Sequence, residues 1–174
     1  DGRMKKKTVI TISRQFGSGG RVIGKQLADR LGIPFYDHEL ISMAAKETGF
    51  SEEVFERVDE KASSSLLYSL YMGSYMMGGG LAAGPAELPF NDKVFLIQSQ
   101  IIRDVAAQGS CVIVGRCADY VLKNEDDCIN AYIYADLASR VDRAVHNYEV
   151  PPDKAEDVVV KTDKRRAAYY SYYS

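Results

Sequence analysis

TVITISRQFGSGGRVIGK, residues 8–25, sets a β-branched run, a glycine cluster and a helix-like segment end to end. Val9 to Ile12 is short, apolar and bounded by polar residues, the pattern of a strand buried on both faces. Gly17, Ser18, Gly19 and Gly20 follow it. Beyond them Val22, Ile23, Leu27 and Leu31 recur at helical spacing, and Gly32 offers a C-cap. A strand that runs through a glycine turn into a helix gathers backbone N–H groups and the positive end of the helix dipole at one place, where phosphate binds well. Glycine lets the chain curl and come close to such an anion.

The following residues extend this unit into a fold class. Residues 33–37 (IPFYD) read as a second strand, and Glu39 to Thr48 as a second helix stopped near Gly49. Strand, loop, helix, strand in that order predicts a βαβ unit and a parallel sheet. Ser51 N-caps a helix expected over 51–61. From Asp92 a helix turns Val94, Phe95, Ile97, Ile101, Ile102 and Val105 inward and ends near Gly109. SCVIVG (110–115) is the clearest central strand, INAYIYA (129–135) is another, and Ser139 to Tyr148 reads as a helix. After Pro151-Pro152, residues 153–170 resume as a charged helix carrying KTDKRR and running into a tyrosine-rich tail. Residues 62–90, rich in Gly, Ser, Met and Tyr, carry no charge before Glu87. They read as a mobile flap or an interface segment, or as a poorly ordered loop between helices, and a homo-oligomer stands separately among the expected partners.

Bulk composition narrows the function classes. A chain of 174 residues with 46% hydrophobic and 26% charged residues suits one globular domain with a single core. Its formal net charge of −2 gives no general pull toward nucleic acid. Cys111, Cys117 and Cys128 lack metal-ligand spacing and do not form a disulfide framework, so a cytoplasmic setting is expected. No apolar run approaches the roughly 20 residues of a membrane helix, so no membrane partner is expected.

The loop departs from the usual phosphate-binding pattern of Gly, four residues, Gly-Lys and Ser or Thr. Aligning Gly19 with the second glycine puts Arg14 at the first, Gly20 at the lysine and Arg21 at the hydroxyl. A literal match from Gly19 to Gly24-Lys25 ends in Gln26 and sets Lys25 deep inside the helix. The basic charge is therefore relocated to Arg14, Arg21 and Lys25, and arginine can grip phosphate bidentately where lysine acts as a point charge. Ser18 or Ser13 is left to offer a hydroxyl to Mg²⁺. A dinucleotide-binding G-x-G-x-x-G, as in a Rossmann-type oxidoreductase, fails at Val22.

ITISRQFGSGGRVIGKQLADRLGIPFYDHELI, then CVIVGRCADYVL, then DKRRAAYYSYY together resemble the cytidylate kinase-like family, a divergent branch of the P-loop nucleoside monophosphate kinases. The resemblance runs from Val9 to the tail, apart from 62–90. It implies an α/β fold of the P-loop NTPase type, a three-layer parallel sheet flanked by helices. Within one domain over 1–174 it sets an acceptor-side segment at about 38–92 and a lid-like segment at about 150–170. It implies ATP and Mg²⁺ as cofactors and a (d)CMP-like acceptor, so small-molecule nucleotides are the expected ligands.

The reading of the loop itself assigns Arg14, Gly17, Ser18, Gly19, Gly20, Arg21 and Lys25 to the donor phosphates, with Ser18 toward the metal; the resemblance carries over the remaining positions. Asp37 matches an Asp that helps hold the nucleoside. Gly115 and Arg116 match a Gly-Arg-Asp turn whose Arg contacts the monophosphate. Cys117 stands where the family has the sugar-binding Asp, and Asp119 is the substitute. Lys161, Asp163, Lys164, Arg165 and Arg166 resemble a basic lid, so Arg21, Arg116, Arg165 and Arg166 become the candidate catalytic residues. Lys93 or Arg103 is the candidate for a further monophosphate-pinning arginine. Plainer readings stand beside these: Asp37 as a helix N-cap, Arg116 as a strand-end ion pair, and 161–166 as a solvated helix end. A nucleotide-binding module of the same fold, without catalysis, would also account for the missing lysine and hydroxyl.

Overall fold

Four parallel strands carry the fold, in the order β2-β3-β1-β4. They are β1 (Val9–Arg14), β2 (Phe35–Tyr36), β3 (Cys111–Val114) and β4 (Cys128–Ile133). The computed structural model describes residues 7–53 and 90–174. The expected helix beyond Glu53 and the 62–90 segment, save its last residue, lie outside the described residues. Helices α1 (Gly20–Leu31), α2 (Glu39–Thr48), α3 (Phe90–Gln108), α4 (Ala118–Val121), α5 (Leu137–Tyr148) and α6 (Ala155–Tyr173) complete them.

The apolar runs of β1 and β3 are unbroken because helices cover the sheet on both sides. Val9, Cys111 and Ile113 pack with Leu40 and Ile41 of α2 and with Ile101, Ile102 and Val105 of α3. Ile10, Ile12, Val112 and Val114 point the other way, into a second cluster with Ala28 of α1. The parallel sheet is the one expected from the strand-loop-helix order, and its three-layer α/β arrangement is the one the family resemblance implied. The second strand is shorter than the 33–37 reading, with only Phe35 and Tyr36 paired to β3. Among the described residues no helix is long and apolar enough to cross a membrane.

Helix α1 forms where the apolar spacing predicts and ends at the Gly32 C-cap, but of Val22, Ile23, Leu27 and Leu31 only Leu27 packs on the second cluster. Val22, Ile23 and Leu31 are exposed, at 51%, 45% and 52% of their surface. The face turned to the sheet is instead Gly20, Gly24 and Ala28. These small residues recur every four positions and let the helix axis approach the strands. A Cβ on Gly24 would sit 2.9 Å from Ile12 Cδ1, 3.2 Å from Phe35 Cε2 and 3.3 Å from Val114 Cγ2. Close approach, rather than an apolar stripe, sets this interface and carries the glycine loop down onto the strand ends.

The cysteines are free, as expected. Cys111 and Cys128 flank Val9 on the two neighbouring strands. Two strand spacings, about 9.6 Å, separate their backbones, too far for a disulfide. Burial, with the nearby Cys128 adding to it, pushes the Cys111 thiol up to about 11.

Two outcomes follow. Gly24→Val forces branched methyls against three walls and should cost about 1–3 kcal/mol in urea unfolding, whereas Val22→Gln on the outer face should stay within about 0.5 kcal/mol. Cys111 should resist a thiol-alkylating reagent at pH 8 until the chain is unfolded, as mass spectrometry of the modified peptides would read.

Candidate functional site

Parallel strands end at one edge of the sheet, and ligands of such folds bind there. Pairing Ile12 with Val114 and Tyr36 with Ile113 sets Arg14, Gly115 and Asp37 side by side at that edge. The chain then curls from β1 into α1 through Gly17 and Gly19, whose φ values of +75° and +83° are left-handed. Space as well as angle requires glycine at position 17, because a Cβ there would lie 2.5 Å from the Arg140 carbonyl oxygen. Within the loop, the Ser18 amide donates to Gln15 O at 3.3 Å and the Gly20 amide to Ser18 Oγ at 3.3 Å.

A second backbone feature follows β3. Gly115, Arg116 and Cys117 adopt φ values of +73°, +57° and +54° in succession. Non-glycine residues in the left-handed region cost about 1–3 kcal/mol each and gather at functional sites. The turn is locked by the Gly115 amide donating to Ile12 O at 2.9 Å and the Ala118 amide to Gly115 O at 3.1 Å. A Cβ at position 115 would lie 2.6 Å from Arg14 Nη1, so this glycine also makes room for the Arg14 guanidinium. Sequence gave the Gly-Arg pair; the strain appears only in three dimensions.

Two adjoining cavities of about 480 Å³ each open on this edge. One lies on the glycine loop, with Gly17, Gly19, Gly20 and Arg21 on its wall. The other runs under α6 toward Cys117, Asp119, Tyr132 and Tyr170. Arg14, Asp37, Arg116 and Arg166 line both, so the loop and the Arg116 turn share one cleft.

Several expected residues are drawn into this cleft and others are not. Arg21 reaches it, with Nε 2.6 Å from the Asp37 carboxylate. Asp37 is buried and its own amide donates to Glu39 Oε2 at 3.0 Å. Burial alone would raise the Glu39 carboxyl, but hydrogen bonds from the Glu39 and Asp37 amides and the Arg21 charge leave it lowered. Asp119 accepts from the Tyr170 hydroxyl at 3.0 Å, while its Oδ1 is buried with no hydrogen-bond partner among the described residues. Arg165 lines the cavity under α6 and donates to Thr162 Oγ1 at 3.2 Å.

Lys25 is not brought to the cleft; it is ion-paired with Asp29 one turn along exposed α1. Ser18 is buried within the loop and lines neither cavity, its hydroxyl facing the Gly20 amide, while Ser13 does line the cleft. Of the expected lid, Lys161 pairs with Asp157 on the exposed side of α6, and Lys164 lines neither cavity. Lys93 and Arg103 line neither as well. Among the described residues no group of three or more His, Cys, Asp or Glu side chains is arranged to hold a metal.

Sequence reading missed Arg140 and Arg143 on α5. Arg143 Nη1 donates to the Gly17 carbonyl at 2.7 Å, and Arg140 reaches the Phe16 carbonyl at 3.4 Å. The available signal was a pair of arginines spaced i, i+3 on the helix after β4, which in a parallel sheet must start at the same edge as the loop.

No curated protein matches the sequence. The fold is similar to the crystal structure of an uncharacterized protein from Eubacterium ventriosum, with TM-score 0.66 and 25% identity over 97% of this chain and 78% of that one. A shikimate kinase from Acinetobacter baumannii in complex with shikimate aligns at TM-score 0.49 and 14% identity, over 97% of this chain and 80% of that one. Residues 9–174 match the family model described as the cytidylate kinase-like family. With the glycine loop, the Gly-Arg turn and the parallel sheet all inside that span, the chain belongs to the cytidylate kinase-like family.

Proposed function

We propose that this protein is a nucleoside monophosphate kinase that moves a phosphoryl group from ATP to a (d)CMP-like acceptor. One observation carries the reading: the glycine loop and the strained Arg116 turn open into a single cleft whose shared wall holds Arg14, Arg116 and Arg166. Phosphoryl transfer needs two phosphates in line and their charge neutralised as it shifts, with little covalent work from the protein. The donor phosphates take the loop amides and Arg21. The acceptor phosphate takes Arg116, and Arg14 and Arg166 stand between them. An acceptor phosphate oxygen bonds to the γ-phosphorus as the bond to the β–γ bridging oxygen breaks, leaving ADP and a nucleoside diphosphate. The three guanidinium groups supply the forked donors that the absent loop lysine does not.

Mg²⁺ keeps most of its water ligands and takes one or two carboxylates besides phosphate oxygens, so no protein cage is required. Asp37, a carboxylate on the wall of both cavities, fits that role, whereas inward-facing Ser18 does not. Bound there, the ion would neutralise charge on the donor oxygens. Asp119, beneath Tyr170, faces the acceptor side.

A second reading, nucleotide binding without turnover, is favoured by the engagement of Ser18 with the loop's own Gly20 amide and of Lys25 with Asp29 on the exposed face of α1. Purified protein with ATP, Mg²⁺ and a panel of monophosphates separates the two: diphosphate should form, fastest from CMP or dCMP. Calorimetric binding with no diphosphate would select the binding module. Arg116→Ala should cut turnover by about 10²–10³-fold with ATP affinity unchanged. Arg116→Gly should be as inactive yet unfold later in urea than the Ala variant, by about 1 kcal/mol, because glycine accepts the left-handed backbone.

A further inference from the structure

We propose that Arg140 and Asp163 are positioning residues for the glycine loop, gripping both backbone polar groups of Phe16 so that the next amide faces the anion. Asp163 Oδ1 accepts from the Phe16 amide at 2.7 Å. Arg140 Nη1 donates to the Phe16 carbonyl at 3.4 Å and to Asp163 Oδ2 at 2.5 Å. Arg140 Nε donates to the Ala135 carbonyl at 3.1 Å, which anchors the guanidinium to the chain leaving β4. The side chains are 9% and 24% exposed, so water competes little for these bonds.

The geometry of the peptide unit turns this grip into an effect on the site. In a trans peptide the carbonyl and the following N–H point in opposite directions. Holding the Phe16 carbonyl toward α5 therefore aims the Gly17 amide to the opposite side. Phe16 and Gly17 line the loop cavity, whereas Arg140 and Arg143 do not. The Gly17 carbonyl is held by Arg143 at 2.7 Å in the same sense. Two successive carbonyls are thus drawn back from the cavity, and the loop gains by preorganisation part of what it lacks in charge.

Asp163 also ties the loop to α6. Three residues on, Arg166 lines the cleft, lies 5.7 Å over the Phe16 ring and donates to Arg14 O at 3.5 Å. The carboxylate read from sequence as part of a lid therefore works at the root of the loop, and the docking of α6 is coupled to the loop's shape.

Replacing the pair by apolar side chains removes its charges but also strands the Phe16 amide and the Phe16 and Ala135 carbonyls, so some loss of stability is expected whatever the role. In the full chain, the double variant Arg140→Met with Asp163→Leu should therefore melt lower and, held well below its melting temperature, should bind inorganic tripolyphosphate at least about tenfold more weakly by calorimetry. Asp163 also lies on the wall of the cavity under α6, so CMP affinity is read in Arg140→Lys, which spares it, and should stay within about twofold. Asp142→Asn, on the exposed side of α5, should change neither. If the double variant does not fold, Arg140→Lys keeps the charge but not the fork, and the same split is expected. Independently, the Phe16 amide of the parent should exchange slowly with deuterium, and faster in either variant.

The proposal rests on the kinase reading only for the identity of the anion. Absence of diphosphate product would sink that reading and leave the tripolyphosphate comparison intact. Unchanged tripolyphosphate affinity in a folded variant, equal loss of tripolyphosphate and CMP binding in Arg140→Lys, or a freely exchanging Phe16 amide in the parent would overturn the positioning role alone.

Discussion

A parallel sheet delivers its strand ends to one edge, and here β1 lies between β3 and β4 at that edge. This placement sets the last residue of β1 beside the turn that leaves β3. A Cβ at position 115 would push the Arg14 guanidinium aside, and the φ of +73° there favours glycine in any case. The chain meets the constraint with glycine, and then continues left-handed through Arg116 and Cys117. That conformation is costly, and the hydrogen bond from Gly115 to Ile12 holds it in place. The sheet thus converts its own stability into a fixed direction for Arg116.

Charge balance at the cleft follows the same logic. The guanidinium groups of Arg21 and Arg140 already face carboxylates, Asp37 and Asp163 respectively. Arg21 is largely exposed while its partner is buried, so solvent weakens the first pair more than the second. An anion entering at the loop would meet Arg21 as a cation that can be shared or drawn from Asp37. It would meet Arg140 as one committed to the backbone. One arginine is available for recognition and the other for shape, although the sequence shows only two arginines.

Much of the fold was legible in the sequence because local pattern and tertiary role coincide there. Strand β1 and central β3 read directly, since burial on both faces leaves unbroken apolar runs, and α2 is bounded by its glycine C-cap. The meeting of the glycine loop, Arg14, Asp37 and Arg116 at one cleft was legible because the strands of a parallel sheet end at one edge. The sheet-facing side of α1 was not. Gly20, Gly24 and Ala28 contribute closeness rather than hydrophobicity, so the apolar period pointed to the exposed residues. Arg140 and Arg143 were missed because their contacts are with backbone carbonyls more than 120 residues away, for which no local pattern exists.

The tyrosine-rich tail shows how the far end of the cleft is closed. Tyr173 stacks on Phe95 of α3 with centroids 4.1 Å apart, and Tyr169 packs on Tyr173 at 4.9 Å, which fixes the end of α6 across the sheet edge. Tyr170 can then reach Asp119. Burial, and next the Asp119 carboxylate itself, raise the Tyr170 phenol, so it remains a neutral donor through the physiological pH range. Only one Asp119 oxygen is satisfied by it; the other is buried without a partner among the described residues. That arrangement leaves the end of the cleft under α6 with a fixed hydroxyl donor bonded to a carboxylate, while the loop end is walled by glycine backbone and the Arg21 guanidinium.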